Sequence, residues 1–360
     1  MTPRVFNFSP GPAMLPLCVL EQARDEMLSL PGLGMSAMEI SHRSPWFDGV
    51  LAETQANLRS LLGLGDDFSI LFLQGGSRLA FSMIPMNFLR GSGKPADFLV
   101  TGAWANTALA EARREGEVHV AFDKRDEDYR RLPRPGEARY SADPAYVHYT
   151  SNETIQGVQF PREPETAAPL VCDASSDFLC RPLDVARYGL IFACAQKNAG
   201  PAGVTVVIVR QDFLERIPSG LHTMLDYREY AKQNSLANTP PVFAIYICLL
   251  ITRWLKDQIG GLAKMEAINR EKASRLYQVL DDHPEIYQGH AAADSRSLMN
   301  VTFRLPDEEL TNRFLSGAAE RQLMELKGHR SVGGIRASIY NAMPHEGVER
   351  LREWMLEFAK

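Results

Sequence analysis

Short apolar runs alternate with helical patterns along the N-terminal part of the chain. The runs lie at residues 70–73, 98–101, 118–122, 146–149, 170–172, 190–193 and 204–209. Helical patterns lie at residues 17–30, 47–62, 78–88 and 106–114. Near-continuous apolar strands separated by helices are typical of a mostly parallel sheet that helices cover on both faces. The pattern therefore predicts an α/β fold with the seven runs as strands of one sheet.

The pattern changes after Pro240. Two long helical stretches follow, at about residues 241–257 and 261–282, and then a strand at 297–304, a helix from about residue 308, a strand at 335–339 and a helix at 345–358. Long helices mixed with few strands are typical of a smaller α+β domain. We therefore expect a large domain over residues 16–258 and a small C-terminal domain over residues 259–360.

Composition argues against several classes of function. The net charge is −5 and the pI is near 6.0, without a basic stripe, so nucleic acid is not an expected partner. No apolar run reaches the roughly 18 residues of a membrane span, and the N-terminus lacks the layout of a signal peptide. The five cysteines are odd in number and widely spaced, which predicts free thiols in a reducing compartment, the cytoplasm. Histidine and cysteine show no metal-ligand spacing, so no metal site is expected.

Lys197 lies where a buried strand is expected to end. The segment 187–209 reads RYGLIFACAQKNAGPAGVTVVIV, in which small residues flank the lysine and glycines follow it. Burial disfavours the ammonium form of a lysine, and a neutral amine can form an imine with an aldehyde cofactor. The glycines let the backbone pass close to such a cofactor. From spacing alone, a surface lysine in a turn is an equally good interpretation.

Two further segments favour a cofactor site. Asp173 directly follows the run at residues 170–172, and parallel strands would bring it to the same sheet edge as Lys197. An aspartate there can keep the nitrogen of a pyridine ring protonated, although taken alone it is better explained as a helix N-cap. Residues 71–79, LFLQGGSRL, place a glycine-rich turn before a helix, where backbone amides favour a phosphate. That turn is a weak signal by itself.

Together these segments resemble one family closely. The chain opens with FNFSPGPAMLP and continues with GLGMSAMEISHRS, QGGSR, SNETIQG, RYGLIFACAQKNAGPAG, NTPP and KGHRSVGGIRASIYNAMP. Over nearly its whole length it is similar to the phosphoserine aminotransferases, in the class V group of fold-type I pyridoxal-phosphate enzymes. The resemblance implies a fold-type I PLP-dependent transferase whose large domain binds the cofactor and whose residues 1–15 pack with the small domain. It also implies a homodimer with shared active sites.

The resemblance assigns the residues that bind pyridoxal 5′-phosphate. Lys197 is the catalytic residue and forms a Schiff base with the cofactor, and Asp173 pairs with the pyridine nitrogen. Trp104 stacks on the ring, and Thr154 lies near its polar edge. Further residues hold the cofactor largely at its phosphate, the last two of them from the neighbouring subunit: Gly76, Ser77, Arg78, Gln196, Asn238 and Thr239.

The same resemblance assigns the substrate-binding residues, which are His42, Arg43, His329, Arg330 and Arg336. The planar fork of arginine suits both carboxylate and phosphate groups. Taken singly, each arginine is better explained as a surface ion pair, and each histidine as a structural hydrogen-bonding residue.

The chain departs from the family pattern at two places. Ser77 stands where many members have glycine, which leaves a backbone amide for the phosphate. Ser44-Pro45-Trp46 is an unusual continuation of His42 and Arg43 and bears on the substrate loop.

The implied reaction is a ping-pong transamination through the Lys197 Schiff base. L-Glutamate and 3-phosphohydroxypyruvate give 2-oxoglutarate and O-phospho-L-serine, a step of serine biosynthesis. We also expect the 4-phosphohydroxy-L-threonine reaction of pyridoxine biosynthesis.

Two alternatives remain at this point. One is another class V enzyme, such as a cysteine desulfurase or an alanine–glyoxylate aminotransferase. A desulfurase needs a mobile cysteine in a late loop, whereas the last cysteine here, Cys248, lies in a helical apolar run. The other is a non-catalytic binding protein on the same fold, which would be expected to lack Lys197 or Asp173, and both are present.

Overall fold

The computed structural model describes residues 4–360. Its strands are β1 (Phe6–Asn7), β2 (Phe68–Leu73), β3 (Ala96–Val100), β4 (Val118–Asp123), β5 (Val147–Thr150), β6 (Asn152–Glu153), β7 (Val158–Gln159), β8 (Leu170–Asp173), β9 (Tyr188–Cys194), β10 (Thr205–Arg210), β11 (Gln288–Gly289), β12 (Asn300–Arg304), β13 (Leu323–Met324) and β14 (Ile335–Ser338). Its α-helices are α1 (Leu17–Asp25), α2 (Pro45–Leu62), α3 (Gly76–Phe88), α4 (Ala103–Ala112), α5 (Gln211–Leu214), α6 (Tyr227–Lys232), α7 (Val242–Arg253), α8 (Leu262–Asp282), α9 (Glu308–Glu320) and α10 (His345–Phe358). Within this part of the chain, no helix combines the length and apolar character that a bilayer crossing needs.

One seven-stranded sheet contains the strands in the order β2, β10, β9, β8, β5, β3 and β4. Strand β10 runs antiparallel to both of its neighbours, and every other neighbouring pair is parallel. Each strand overlaps one of the apolar runs of the sequence. The predicted mostly parallel seven-stranded sheet is therefore confirmed.

Alternate residues of β9 pack into two separate hydrophobic cores. Leu190 and Phe192 belong to the core that α3 and α4 cover, whereas Ile191 and Ala193 belong to the core that α2 and α7 cover. All residues of β9 are buried. Because helices cover both faces of the sheet, a central strand buries apolar residues at every position.

A second sheet lies in the C-terminal part of the chain. Strands β11, β12 and β14 are antiparallel, and residues of α8, α9 and α10 complete their core. Phe8 belongs to the same core, and β1 pairs with β13. The division of the chain between residues 258 and 259 stays a prediction, and it falls in the π-helix Trp254–Ile259 that continues α7.

The structure differs from the sequence pattern in several short segments, among them the unpredicted elements β1, β11, β13, α5 and α6. The predicted helix at residues 17–30 ends at Asp25, and beyond it Leu28 is exposed whereas Leu30 packs into a core. The hairpin of β6 and β7 was not predicted, because each strand has two residues and cannot show a period.

Lys272 ties helix α8 to the segment after β14. Its side chain is fully buried, and its Nζ donates hydrogen bonds of 2.8 to 3.3 Å to four main-chain carbonyls between residues 339 and 343. Burial lowers the pKa of Lys272 to about 7, while the carbonyl oxygens favour its ammonium form. In that segment the main-chain N–H of Asn341 donates to Oδ1 of Asn198, at 2.9 Å. Lys272 therefore organises a segment that contacts the residue after Lys197.

We expect Lys272→Met to lower the free energy of unfolding by about 3 kcal/mol or more, because each buried carbonyl left unpaired costs about 1–3 kcal/mol. The measurement is urea unfolding at neutral pH followed by circular dichroism. Arg270→Met is the control, since Arg270 lies exposed on the same helix in an ion pair with Glu266. It should change the free energy by less than about 0.5 kcal/mol. Equal effects of the two substitutions would contradict the role of Lys272.

Candidate active site

A cavity of about 390 Å³ opens at the carboxyl edge of the parallel strands. Ten of the predicted site residues line it, namely Gly76, Ser77, Arg78, Trp104, Thr154, Asp173, Gln196, Lys197, His329 and Arg336. The other lining residues, which sequence reasoning missed, are Pro10, Gly11, Gly75, Thr150, Asn152, Ile155, Ser175, Ser176 and Cys194. Two signals could have found some of these, because Ser175 and Ser176 lie two and three residues after Asp173 and Gly11 lies in the opening family segment.

Strand pairing brings Asp173 and Lys197 to this edge. Asp173 is the last residue of β8 and pairs in register with Phe192 of the parallel strand β9. Lys197 follows β9 in a turn that is closed by a 2.8 Å hydrogen bond from the main-chain N–H of Gly200 to the carbonyl of Ala195. The acid and the amine therefore come from neighbouring strand ends, as the sequence predicted.

Asp173 is a buried acid with one oxygen already bonded. Its side chain is 4 % exposed, and Oδ1 accepts a 3.0 Å hydrogen bond from the main-chain N–H of Ser175. Burial raises the pKa of Asp173, and the hydrogen bonds from Ser175 and the charge of Lys197 oppose that rise. A cationic N–H group in the cavity would favour the ionised carboxylate still further.

Trp104 forms an aromatic wall of the cavity. Its indole Nε1 donates a 3.0 Å hydrogen bond to Oγ1 of Thr154, which fixes the orientation of the ring. The Nζ of Lys197 lies over this ring, 5.8 Å from its centroid. The indole face is therefore presented to the space in front of the lysine amine, where a flat ring can stack.

Helix α3 begins at the cavity with an open N-terminus. Gly75 precedes it at φ 96°, a conformation that favours glycine, and no side chain of residues 4–360 caps it. The first amides of such a helix are donors without helical partners and favour an anion. The Ser77 hydroxyl is bonded to Oγ of Ser175 at 2.9 Å and to Sγ of Cys194 at 3.1 Å. It therefore turns to the sheet edge and leaves the amides at the helix start to a ligand.

Arg336 brings a buried cation to the site. Its side chain is 7 % exposed, one terminal nitrogen donates to the carbonyl of Thr154 at 3.4 Å, and Nε has no partner within residues 4–360. Burial lowers the pKa of Arg336. Burial and the charges of Arg336 and Arg330 also lower the pKa of His329. A buried guanidinium with a free donor favours an anionic ligand.

Five predicted residues do not line the cavity of their own chain, namely His42, Arg43, Asn238, Thr239 and Arg330. Asn238 donates to Oε1 of Gln74 at 3.1 Å, and the carbonyl of Thr239 accepts from Nε2 of Gln74 at 3.5 Å. Arg43, Thr239 and Arg330 are exposed. The single chain therefore does not bring these residues together with the other ten.

Comparison with known proteins identifies the family. A family model for aminotransferase class V matches residues 5–351. The phosphoserine aminotransferase of Rhodopirellula baltica is 54% identical over 358 residues, which cover 99% of this chain and 95% of that relative. The chain belongs to the phosphoserine aminotransferase family of class V. The family predicted from the sequence motifs is therefore confirmed.

Solved structures of phosphoserine aminotransferases match the fold as well. The one from Bacillus circulans subsp. alkalophilus has a TM-score of 0.96 at 48% identity and covers 99% of this chain and 98% of its own. The PLP-bound one from Trichomonas vaginalis has a TM-score of 0.92 at 41% identity and covers 98% of this chain and 100% of its own. These matches confirm the predicted fold-type I transferase fold.

We expect Gly11→Ala to lower the free energy of unfolding by about 2–3 kcal/mol. Gly11 has φ 136°, and a Cβ there would lie 3.3 Å from Cγ of Lys197, so alanine adds backbone strain of about 1–3 kcal/mol and a tight contact. Urea unfolding measures the loss. Gly220→Ala is the control, because it has φ 88° and open space around it, so that it adds strain alone.

In the Lys197→Ala background, the two glycine variants should become equally stable, because the contacting side chain is gone. A Gly11→Ala variant that is no less stable than Gly220→Ala in the wild-type background would contradict the contact between Gly11 and Lys197.

Proposed function

We propose that this chain transfers the amino group of L-glutamate to 3-phosphohydroxypyruvate, with pyridoxal 5′-phosphate as cofactor. The products are 2-oxoglutarate and O-phospho-L-serine, and the pathway is serine biosynthesis. The observation that carries this proposal is one cavity that joins the amine of Lys197, the buried acid Asp173 and the buried cation Arg336. Relatives with this activity in their name are 54% and 51% identical over nearly the whole chain, and one solved relative is PLP-bound.

The cavity offers a partner to each part of pyridoxal phosphate. Lys197 carries the amine for the aldehyde, Asp173 is the acid for the ring nitrogen, and Trp104 is a wall for the ring face. The open start of α3, with Arg78 and Gln196 beside it in the lining, suits the phosphate. The residues present therefore fit this cofactor.

When bound, the cofactor takes up the electron pair that the α-carbon of the substrate releases. The amine of Lys197 would hold the aldehyde of the cofactor, and once freed by a substrate amino group its Nζ would move the proton of the substrate α-carbon, as general base and then general acid. Asp173 would keep the ring nitrogen protonated, because a cationic N–H group beside this buried acid favours its ionised carboxylate. Trp104, which lines the cavity, would cover one face of the ring and exclude water from it.

Both substrates carry a carboxylate and a second anion, and the chain offers two sets of hydrogen-bond donors, among them the cations Arg336, Arg330 and Arg43. The fork of Arg336 suits the carboxylate that both substrates share. His329, Arg330, His42 and Arg43 suit the second anion, which is a carboxylate in glutamate and a phosphate in the keto acid. Since the two substrates use the same groups, they bind in turn, and the mechanism is ping-pong.

The active form is a homodimer with shared sites. Residues 27–43 expose Leu28 by 87%, Met38 by 64%, Met35 by 45% and Leu33 by 42%, and an apolar patch of this kind is typical of an interface. The basic substrate-binding pair lies at the end of this segment. A second copy seated on the patch would supply the cofactor-binding pair at 238 and 239, which the cavity of a single chain lacks.

We expect the double substitution Leu28→Asp, Met38→Asp to produce monomers, because it places two charges in an apolar interface. Sedimentation velocity measures the assembly, and transaminase activity should fall with the dimer fraction. Met324→Asp is the control, since Met324 is exposed but lies outside residues 27–43, and it should stay dimeric and active. A double variant that remains dimeric would contradict this interface.

The second substrate pair is that of pyridoxine biosynthesis. 4-Phosphohydroxy-L-threonine carries the same carboxylate, amino group and phosphate as O-phosphoserine, so the same cations suit it. Its keto acid should therefore restore the cofactor in the assay below.

The five cysteines are free thiols, which supports a reducing compartment, the cytoplasm.

A single-turnover spectrum tests the reaction. Excess glutamate should bleach the visible band of the bound cofactor, and 3-phosphohydroxypyruvate should restore it. Lys197→Ala should show neither change, because it lacks the amine that binds the aldehyde. The control Lys94→Ala changes an exposed lysine paired with Asp143 and should behave as the wild type.

Bleaching without restoration would show an aminotransferase with another acceptor and refute the substrate assignment. A wild-type protein without a visible band would refute the role of Lys197.

A further inference from the structure

Glu153 is a buried carboxylate beside the cavity to which no substrate or cofactor contact is assigned. Its side chain is 0 % exposed and is not part of the cavity lining. Oε2 accepts a 3.0 Å hydrogen bond from the main-chain N–H of Trp104, and Oε1 accepts a 2.8 Å bond from that of Ala105. Both amides belong to the first turn of α4, so the carboxylate caps this helix from another part of the chain.

Gly102 makes this close approach possible. A Cβ at Gly102 would lie 2.5 Å from the carboxyl carbon of Glu153. Any side chain there would therefore displace the carboxylate from the helix. The contact of Glu153 with α4 therefore requires glycine at position 102.

Trp104 is thereby held at two points by consecutive residues. Glu153 binds its main-chain N–H, and Thr154 binds its indole Nε1. A ring that stacks on a ligand needs a fixed ring plane and a fixed backbone position. Thr154 fixes the plane of the indole, and Glu153 fixes the backbone of Trp104.

Two helices begin at the cavity, and Glu153 makes them different. The N-terminus of α3 follows Gly75 and has no side-chain cap within residues 4–360. The N-terminus of α4 is already occupied by the Glu153 carboxylate. Since a helix N-terminus attracts anions, the carboxylate removes one of two competing places for a phosphate.

We propose that Glu153 is a positioning residue that fixes Trp104 as the stacking wall and closes the N-terminus of α4 to anions, which directs a phosphate to the start of α3. The identity of the phosphate-bearing ligand rests on the function proposed above. The part that concerns Trp104 and α4 applies to the protein without cofactor.

The ionisation of Glu153 adds a pH dependence to this contact. Burial raises the pKa of Glu153 to about 7, the α4 amides and Lys197 oppose the rise, and Asp173 adds to it. Tyr129 is the other titratable group whose charge is coupled to Glu153. As the pH falls through about 7, the carboxyl gains a proton and loses one acceptor, so Trp104 is held less firmly.

The test compares Glu153→Gln with Asp97→Asn in protein without cofactor. Asp97 is the matched control, because it is also 0 % exposed and accepts bonds of 2.7 and 2.6 Å from Ser141, away from the cavity lining. Glutamine keeps the shape of Glu153, but its NH₂ group faces one of the two helix amides. We expect acrylamide quenching of Trp104 fluorescence to rise about twofold or more in Glu153→Gln, because a side chain that is no longer held moves more and meets the quencher more often. In Asp97→Asn the quenching should stay unchanged. Subtraction of the same variant carrying Trp104→Phe isolates the signal.

Two titrations complete the test. The affinity for pyridoxal phosphate should fall about tenfold or more in Glu153→Gln, which corresponds to about 1.4 kcal/mol of lost orientation. Calorimetry with inorganic phosphate should find one site in the wild type and a second one in Glu153→Ala, whose α4 amides are free. Unchanged quenching in a folded Glu153→Gln, or a single phosphate site in Glu153→Ala, would overturn the proposal.

A variant that fails to fold still leaves a decisive measurement on the wild type. Quenching of Trp104 should change in one step near pH 7 as Glu153 titrates, and a flat profile between about pH 6 and 8 overturns the proposal. A wild-type protein that binds no pyridoxal phosphate would refute the proposed function instead, and the quenching result would still decide the role of Glu153.

Discussion

The parallel pairing of β8 with β9 is the interaction on which the site depends. The register that sets Asp173 opposite Phe192 carries an acid and, five residues beyond Phe192, an amine to the same edge of the sheet. If β9 ran antiparallel to β8, Lys197 would leave the sheet at its other end. Apolar burial on both faces of these strands fixes the register, because a slip by one residue exchanges the two cores. The chemistry at the edge is thus positioned by the packing beneath it.

Directional hydrogen bonds connect the C-terminal sheet to this edge. Asn152 lines the cavity and donates to Oδ1 of Asn300 at 2.8 Å, and Asn300 donates to Oγ of Ser338 at 2.9 Å. Ser338 lies two residues after Arg336 in β14, so the chain of amides fixes the strand that carries the cation. A buried amide left unpaired is costly, and the geometry that pairs these amides leaves little freedom in the distance between Arg336 and the sheet edge.

The sequence predicted those parts of the site that lie on long, buried elements. The seven strands and the meeting of Lys197 with Asp173 follow from apolar runs and from the rule for parallel strands. Arg336 shows the limit, because an arginine taken singly is best explained as a surface ion pair, yet this one is buried with a free donor. The contacts of Glu153 and Gly11 could not be predicted, since they join short segments without a period across large sequence distances.

The residues that were predicted but lie outside the cavity show a different limit. His42, Arg43 and Arg330 are not buried, and a single chain gives them no common partner. Local patterns describe one chain, whereas a shared site depends on how two chains pack, which no periodicity reports.

Four ionisable groups at or beside the cavity are held against their preferred ionisation by burial. The pKa values of Asp173 and Glu153 are raised, and the pKa values of Arg336 and His329 are lowered. Each shift means that the folded protein disfavours the charged form, a cost that the unfolded chain does not bear. A ligand with a cationic ring nitrogen and anionic ends presents the opposite charge to Asp173 and to Arg336, so its binding relieves that cost and stabilises the fold. The affinity of this site for such a ligand and the instability of the site without it therefore have the same physical origin.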